Sequence, residues 1–464
     1  MLRLLEVVYV FARHLLFHWL RSELRRKHFA ERLRMTLERL GPVYTKLGQF
    51  FAARDIPEAI KIELKKLFDG QSPLSFEIIE PIVKAALGLT RLEDYFSSFS
   101  REAFASASIA QIHIAERGGK KCVVKVLRPG ARESVRKDLR IAKWLVFFGA
   151  LFSRRIKYVR VAGAVSQIES WLLRETDFRI EAKNARLFQV GYAGVDCIVI
   201  PEVIFDSEEV LIEEFLEAGV PCHKWDERLV GQGYDARLSI RNLLTHTFGP
   251  PFRGIPVPIH GDPHPANILI LPKGKAAFVD FGLVGEISEA DLGLFNAVVF
   301  AVYAQNAKLT AEALMMLGGN PLRSEAKQLA FERDVARYVR ACQTQPFDYW
   351  LLELGEIVIR HNIPTPEVFT LICRFGILGN AITQMFFPGW STIDLVGREI
   401  EMGMLYQLFD RIRHLEPSAL LPVAYSAVMR IERAPLDAAK FIEHPVATIA
   451  EILETLFGPI RKTA

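Results

Sequence analysis

A chain of 464 residues, half of them apolar and 24% charged, can build two or three domains or one large domain with additions, and this composition suits a folded protein with a large core and little disorder. The formal net charge is only +4, which leaves no general basic footprint for nucleic acid. The five cysteines, Cys122, Cys197, Cys222, Cys342 and Cys373, are scattered without a CxxC pair, so they support neither a disulfide framework nor a zinc site and fit a reducing compartment.

Residues 1–34 read as an apolar, basic helix. The first 40 residues hold nine Arg and Lys against four Glu. Arg13, His14 and His18 interrupt the apolar run, and no small-residue cleavage site follows, which argues against a spanning helix and a signal peptide. Phe11, Phe17 and Trp19 followed by arginines suit an interfacial helix. The other reading is an amphipathic helix packed on its own protein. Residues 35–100 continue as helix, with Ser75 as an N-cap before "FEIIEPIVKAAL".

The period then changes. "AQIHIAERGGKKCVVKVLRPG" predicts two strands joined by a Gly-Gly turn. A long helical stretch is expected from about Arg132 to Gln189, then strands in "DCIVIPEV" and "EEVLIEEFL", then helix from Ala236 to Phe248. "NILILPKGKAAFVDFG" predicts a hairpin over a Pro-Lys-Gly turn. After about Ser288 the chain reads as helices broken by prolines. Residues 101–217 are thus a small strand-rich lobe with a helical insert, 218–400 a large helical lobe, and 401–464 a helical tail. Charges and prolines spaced through that tail argue against a C-terminal membrane span.

The chemistry concentrates in "HGDPHPANIL", residues 260–269, and in the "DFG" at 280–282. Transfer of a phosphoryl group from a nucleotide needs hard oxygen ligands for magnesium and a carboxylate to orient the attacking hydroxyl. Asp262 followed five residues later by Asn267, with Asp280-Phe281-Gly282 after a strand pair, reproduces the spacing that protein kinases use. Pro263 and Pro265 prevent His260 and His264 from sharing a helical face as metal ligands. His260 is expected to steady the loop, and His264 to reach phosphate or water. Lys125 in "CVVKV" stands in the strand context of a phosphate-binding lysine. Its glutamate partner must come from "LLRETDFRIEAKN", where Glu175, Asp177 and Glu181 are candidates. Walker A is absent, and alanine and serine at Ala105, Ser106, Ala107 and Ser108 stand where a glycine-rich loop would cover the phosphates. Such a loop should be stiffer, because alanine resists φ > 0.

These residues resemble the UbiB family of atypical, protein-kinase-like proteins. "KLGQ" at 46–49 is similar to its N-terminal KxGQ motif, "ASASIAQIH" to its alanine-rich loop, "ETD" with Glu181 and Asn184 to its ExD region, and "HGDPHPAN" with "DFG" to its catalytic and metal loops. The resemblance covers about residues 35–400. It departs in "FFAARDIPEAI" after KLGQ, which is shorter than usual, and in Ala266, where glycine is common. It implies an α+β, two-lobed kinase-like fold with a helical N-terminal extension. It further implies that Lys46 and Gln49 lie on that extension and block protein substrates, with Glu175 and Asp177 holding it. Glu181 would pair with Lys125, Asn267 and Asp280 would bind magnesium, and Asp262 would be the catalytic carboxylate. The nucleotide would also meet Glu214 and Leu216, beside the alanine-rich loop.

The implied cofactors are ATP and Mg2+. The implied activity is that of an atypical kinase or ATPase supporting ubiquinone or isoprenoid-lipid biosynthesis. The implied partners are an isoprenoid or quinone-precursor lipid, a membrane surface and lipid-biosynthesis proteins, with no nucleic acid. The protein would be cytoplasmic and peripherally membrane-associated. Two alternatives are a non-enzymatic nucleotide-binding scaffold and a small-molecule kinase; KLGQ and the alanine-rich loop have no counterpart in aminoglycoside or choline kinases.

Overall fold

The structure is a computed structural model. It describes residues 2–397 apart from 17–27, 42, 46, 47, 49–57, 66–71, 108, 153–168, 170, 304, 320, 321, 323 and 346. Lys46, Gln49, Ser108, Phe17, Trp19 and the 401–464 tail therefore lie outside the described residues. The chain divides into two compact units. The first holds Met1–Leu187, Pro201–Glu217 and Asp280–Leu283; the second holds Phe188–Ile200, Ala218–Val279 and Val284–Ala464.

The first unit is built on an antiparallel sheet. Its strands are β1 (Ser98–Phe99), β2 (Ala105–Ser106), β3 (Ala110–Arg117), β4 (Lys120–Leu127), β6 (Val203–Asp206) and β7 (Val210–Glu214), in the order β1-β3-β4-β7-β6 with β2 also on β3. Gly118 and Gly119 form the predicted two-residue turn, with φ of 58° and 76°. Both central positions of such a turn need positive φ to follow the twist of the strands, and only glycine adopts it freely. The Arg117↔Lys120 register follows from that turn. One sheet face carries Cys122, Val124, Val126, Val210 and Ile212 and buries Ile79 and Val83 of helix α4 (Phe76–Leu87). Ser75 is at the N-cap of α4, in extended backbone.

The opposite face packs under helices. α1 (Leu2–Phe11), α2 (Phe29–Leu40), α3 (Glu58–Lys65), α5 (Ala131–Phe152) and α6 (Phe178–Gly191) bury Val7, Val10, Leu37, Leu40, Leu64, Leu139 and Phe178 with Leu127 and Leu211. The start of the N-terminal segment is thus a helix packed on its own unit, which turns Leu5, Val8 and Tyr9 outward. Arg3 fixes it: Nε and a terminal nitrogen donate to the two oxygens of buried Asp138 at 2.7 and 2.9 Å, and a terminal nitrogen also reaches Leu40 O. The stretch expected as one helix from Arg132 to Gln189 is broken. Glu175–Asp177 form a turn before α6 starts, because Asp177 turns back to accept from Arg179 N–H instead of continuing the helix.

The second unit has a four-stranded sheet of β5 (Ile198–Val199), β8 (Val220–Pro221), β10 (Ile268–Leu271) and β11 (Lys275–Phe278), in the order β5-β11-β10-β8. A separate pair joins β9 (Ile259–His260) to β12 (Val284–Gly285). The predicted β10–β11 hairpin turns on Lys273 and Gly274, with φ of 61° and 68°. A side chain on Gly274 would meet Leu238 at 2.5 Å, so glycine is required there for space as well. Helix α7 (Ala236–Phe252) is capped by Asp235 and runs to Phe252, past the Phe248 expected. Among the described residues five helices follow: α8 (Glu289–Tyr303), α9 (Ala307–Leu317), α10 (Glu325–Ala341), α11 (Phe347–Arg360) and α12 (Glu367–Phe386). Among the described residues α12 alone is long and apolar enough to cross a membrane, yet 61% of its apolar window is buried within the protein. Phe248 of α7 and Phe375 of α12 pack with ring centroids 4.8 Å apart and planes tilted by 44°, as in a core helix.

Asp138 is almost wholly buried, so removing its charge leaves the Arg3 guanidinium facing a neutral amide. Asp138→Asn is expected to lower unfolding free energy by about 2–3 kcal/mol in urea denaturation and to expose α1 to protease. Unchanged stability would mean that Val7 and Val10 hold α1 without the ion pair.

A candidate phosphotransfer site

Lys125 lies on β4. The β4–β7 register pairs Val123 with Glu213 and Lys125 with Leu211, so Lys125 and Glu213 are diagonal neighbours on one sheet face. Glu181, in the first turn of α6, reaches the same place. Lys125 Nζ donates to Glu181 Oε1 at 2.6 Å and pairs with Glu213 Oε2 at 2.8 Å. All three residues are buried. The resemblance named the Lys125–Glu181 pair and gave Glu214 to the nucleotide; Glu213, the second acid on Lys125, it did not name, and the two neighbouring glutamates face opposite ways. Strand alternation explains the difference. Glu214 lies on the other face, exposed, where its carboxylate accepts from Glu202 N–H at 3.3 Å. Leu216 sits half-buried just after β7.

Asp280 belongs to the same unit and adds a third carboxylate near Lys125. Its Oδ1 accepts from Gly282 N–H at 2.9 Å, which closes the turn. Phe281 is buried, and its carbonyl accepts from Asn184 Nδ2 of α6 at 2.8 Å. A side chain on Gly282 would stand 3.6 Å from Glu175 Cγ, so Glu175 borders the Asp280 turn. Asp177 instead faces Arg179, with two charge-assisted bonds at 2.8 and 2.7 Å that hold its carboxyl below the usual range.

The charges here do not balance. Burial alone would drive the Lys125 ammonium toward neutrality; Glu181, Glu213 and Asp280 outweigh it, and its pKa stands above the ordinary lysine value. For Glu181, burial dominates. Lys125 opposes it, but Asp280 and Glu213 add to it, and the pKa is pushed up to about 7. The two directions agree physically, because one lysine cannot neutralise three acids.

The alanine-rich loop is a short hairpin. Ala105 and Ser106 pair with Ile112 and Gln111, and Ala107 N–H bonds Ala110 O at 2.8 Å. Ala105, Ser106 and Ala107 avoid positive φ, as alanine prefers. Arg128, which the sequence reading did not single out, grips the loop: it donates to Ser106 Oγ at 2.6 Å, Ala107 O at 3.2 Å and Ser72 O at 2.8 Å.

In the second unit the 260–267 loop is held by its own side chains. His260 is buried against Phe278 and Phe188, and its Nδ1 accepts from Asp262 N–H at 3.1 Å. It steadies the loop as expected. His264 Nδ1 accepts from Ala266 N–H at 3.2 Å. Asn267 donates from Nδ2 to Asp262 O at 3.2 Å, which fixes the amide orientation and leaves Oδ1 as its acceptor side. The Asp262 carboxylate accepts from Arg374 of α12 at 2.7 Å. Sequence reasoning missed Arg374, because it lies 112 residues away in an apolar helix.

Each unit by itself offers oxygen of the kind magnesium takes. In the first, Asp280 stands where the surroundings of Lys125 are over-supplied with negative charge, and one oxygen of buried Glu213 lacks a hydrogen-bond partner among the described residues; in the second, Asn267 offers Oδ1. No group of three or more His, Cys, Asp or Glu among the described residues forms a complete cage. Magnesium usually takes only one or two carboxylates beside phosphate and water.

Glu181 sets a pH dependence. Its folded pKa lies above the ordinary 4.5, so its contribution to stability is full below 4.5 and is lost as pH rises through about 7. Over that window the wild type is expected to lose on the order of 1–3 kcal/mol from this group, and Glu181→Gln to flatten the curve. Denaturant titrations at stepped pH measure it; parallel curves for the two proteins would refute the assignment.

Residues 66–314 match the family described as the ABC1 atypical kinase-like domain. The chain is 28% identical over 443 residues to the probable protein kinase UbiB of Vibrio atlanticus, covering 92% of this chain and 78% of that one. It is 29% identical over 414 residues to an uncharacterized aarF domain-containing chloroplastic protein kinase of Arabidopsis thaliana, covering 85% of this chain and 57% of that one. A Mycobacterium tuberculosis protein solved in complex with erythromycin aligns at 25% identity over 78% of this chain and 96% of that one, with a TM-score of 0.45. The chain thus has a kinase-like α+β fold and belongs to the ABC1, or UbiB, family of atypical kinase-like proteins.

Proposed function

We propose that this chain binds ATP with magnesium and acts as an atypical kinase or ATPase that supports ubiquinone or isoprenoid-lipid biosynthesis at a membrane surface. The observation that carries the reading is the buried Lys125–Glu181 pair beside Asp280. A lysine held this way keeps its charge in the interior and presents it to phosphate oxygens. Asp262 would orient the attacking hydroxyl or water, with Arg374 fixing its carboxylate. Asn267 and Asp280 would hold magnesium, which supplies charge neutralisation to the triphosphate when bound. Ala105, Ser106, Ala107 and Ser108 would border the phosphates, and Glu214 and Leu216 the rest of the nucleotide. Lys46 and Gln49, with Glu175 and Asp177, would restrict access to small acceptors or water.

The lipid role rests on the likeness to proteins named UbiB. The protein would be cytoplasmic and peripheral, meeting isoprenoid lipid, the membrane and lipid-biosynthesis proteins. The outward Leu5, Val8 and Tyr9 of α1 are available for that contact. A second reading, a nucleotide-sensing scaffold without turnover, is favoured by the grip of Arg128 on the alanine-rich loop, since a pinned loop hinders closure over phosphates.

Magnesium-dependent ATP hydrolysis by the purified chain, with and without anionic liposomes, separates the readings. Asp280→Asn is expected to lower turnover about 10²-fold or more. Arg374→Ala is expected to lower it about tenfold with little change in nucleotide affinity. Nucleotide binding without any turnover would put the scaffold first.

A further inference from the structure

Glu213 is the buried acid that the proposed chemistry leaves without a task. It is 2% exposed. One oxygen, Oε2, meets Lys125 Nζ at 2.8 Å; the other, Oε1, is shut from solvent with no hydrogen-bond partner among the described residues. Leaving a buried carboxylate oxygen unsatisfied is destabilising. An apolar side chain at this strand position would pack with Val123 and Leu211 without that cost. Lys125 does not need Glu213 for neutrality, because Glu181 already pairs with it at 2.6 Å. The position therefore adds a second buried carboxylate to a lysine that already has one.

We propose that Glu213 is a specificity-determining residue for the anionic ligand of Lys125, admitting a phosphate ester only when it arrives with a divalent cation. The inference rests on the nucleotide-binding reading above. Glu181 and Glu213 both sit on the Lys125 ammonium, so a phosphate oxygen that reaches the lysine comes up against two carboxylates already in place. Glu213 sits on the strand next to the lysine's own, and its hold does not depend on the placement of α6. A bare polyphosphate meets a local excess of negative charge and is repelled. A cation on the phosphates removes the repulsion and offers the carboxylates a counter-charge.

Direct binding of ATP to the full chain, in EDTA and in magnesium, tests this. Wild type is expected to bind magnesium-ATP and to bind ATP in EDTA at least about a hundredfold more weakly. Glu213→Gln should strengthen binding in EDTA about tenfold while changing binding in magnesium much less, so the ratio of the two constants shrinks. A purely structural role would shift both constants together. Glu133→Gln, which removes one charge from the exposed side of α5, should leave the ratio unchanged. If thermal melting shows that Glu213→Gln does not fold, Glu213→Met gives the same readout. Wild-type binding with an unchanged ratio in the Glu213 variants overturns the inference and leaves the nucleotide reading intact. Absence of binding by wild type in both conditions overturns the nucleotide reading and this inference with it.

Discussion

An ammonium group held in a protein interior must be surrounded by carboxylates, and in this chain the surroundings of Lys125 dictate how the first unit is put together. Desolvation would otherwise strip the lysine of its proton. Keeping the charge requires Glu181 within 2.6 Å, so α6 must start where it does. That start depends on the turn at Glu175–Asp177 and on Asp177 folding back to Arg179. Asn184, less than a turn beyond Glu181, ties the same helix to the Phe281 carbonyl and so to the Asp280 turn. Sheet register supplies the other side. A one-residue slip of β7 against β4 would send Glu213 to the α4 face and bring Glu214 inward.

This dependence explains what could be read in the sequence. Turn chemistry is local, so Gly118-Gly119 and Lys273-Gly274 marked both hairpins correctly. Lys125 was legible because "CVVKV" has the strand context of a phosphate-binding lysine and stands at the matching place in the small lobe. Glu213 was not, because adjacent glutamates on a strand differ only in phase. Phase is set by pairing with another strand, which no single segment encodes. The break at Glu175–Asp177 was hidden for a related reason: helical spacing continues through "LLRETDFRIEAKN", and the local bond from Asp177 that interrupts it leaves no periodic trace. Arg128 and Arg374 carry no local motif that singles them out, and only the fold brings them to Ser106 and Asp262.

The two units treat their acids in opposite ways. Asp262 stands in a loop locked by proline geometry, by His260 and by Asn267, and it receives a counter-charge from Arg374. A carboxylate held by one guanidinium keeps a fixed direction, which under the proposed function would suit the orientation of a reacting hydroxyl. Around Lys125 the balance runs the other way, with more acid than base. A closed ion pair has no use for further charge, and under the proposed function the surplus of buried carboxylate would be met by a positive charge that arrives with the ligand. The alanine-rich loop adds to this. Glycine amides can wrap around phosphates, whereas Ala105–Ala107 are committed to pairing with β3 and to Arg128. Under the proposed function, with fewer backbone donors free to neutralise a polyphosphate, that work would fall to the lysine and to a cation. In this chain the lysine is already shared between two carboxylates.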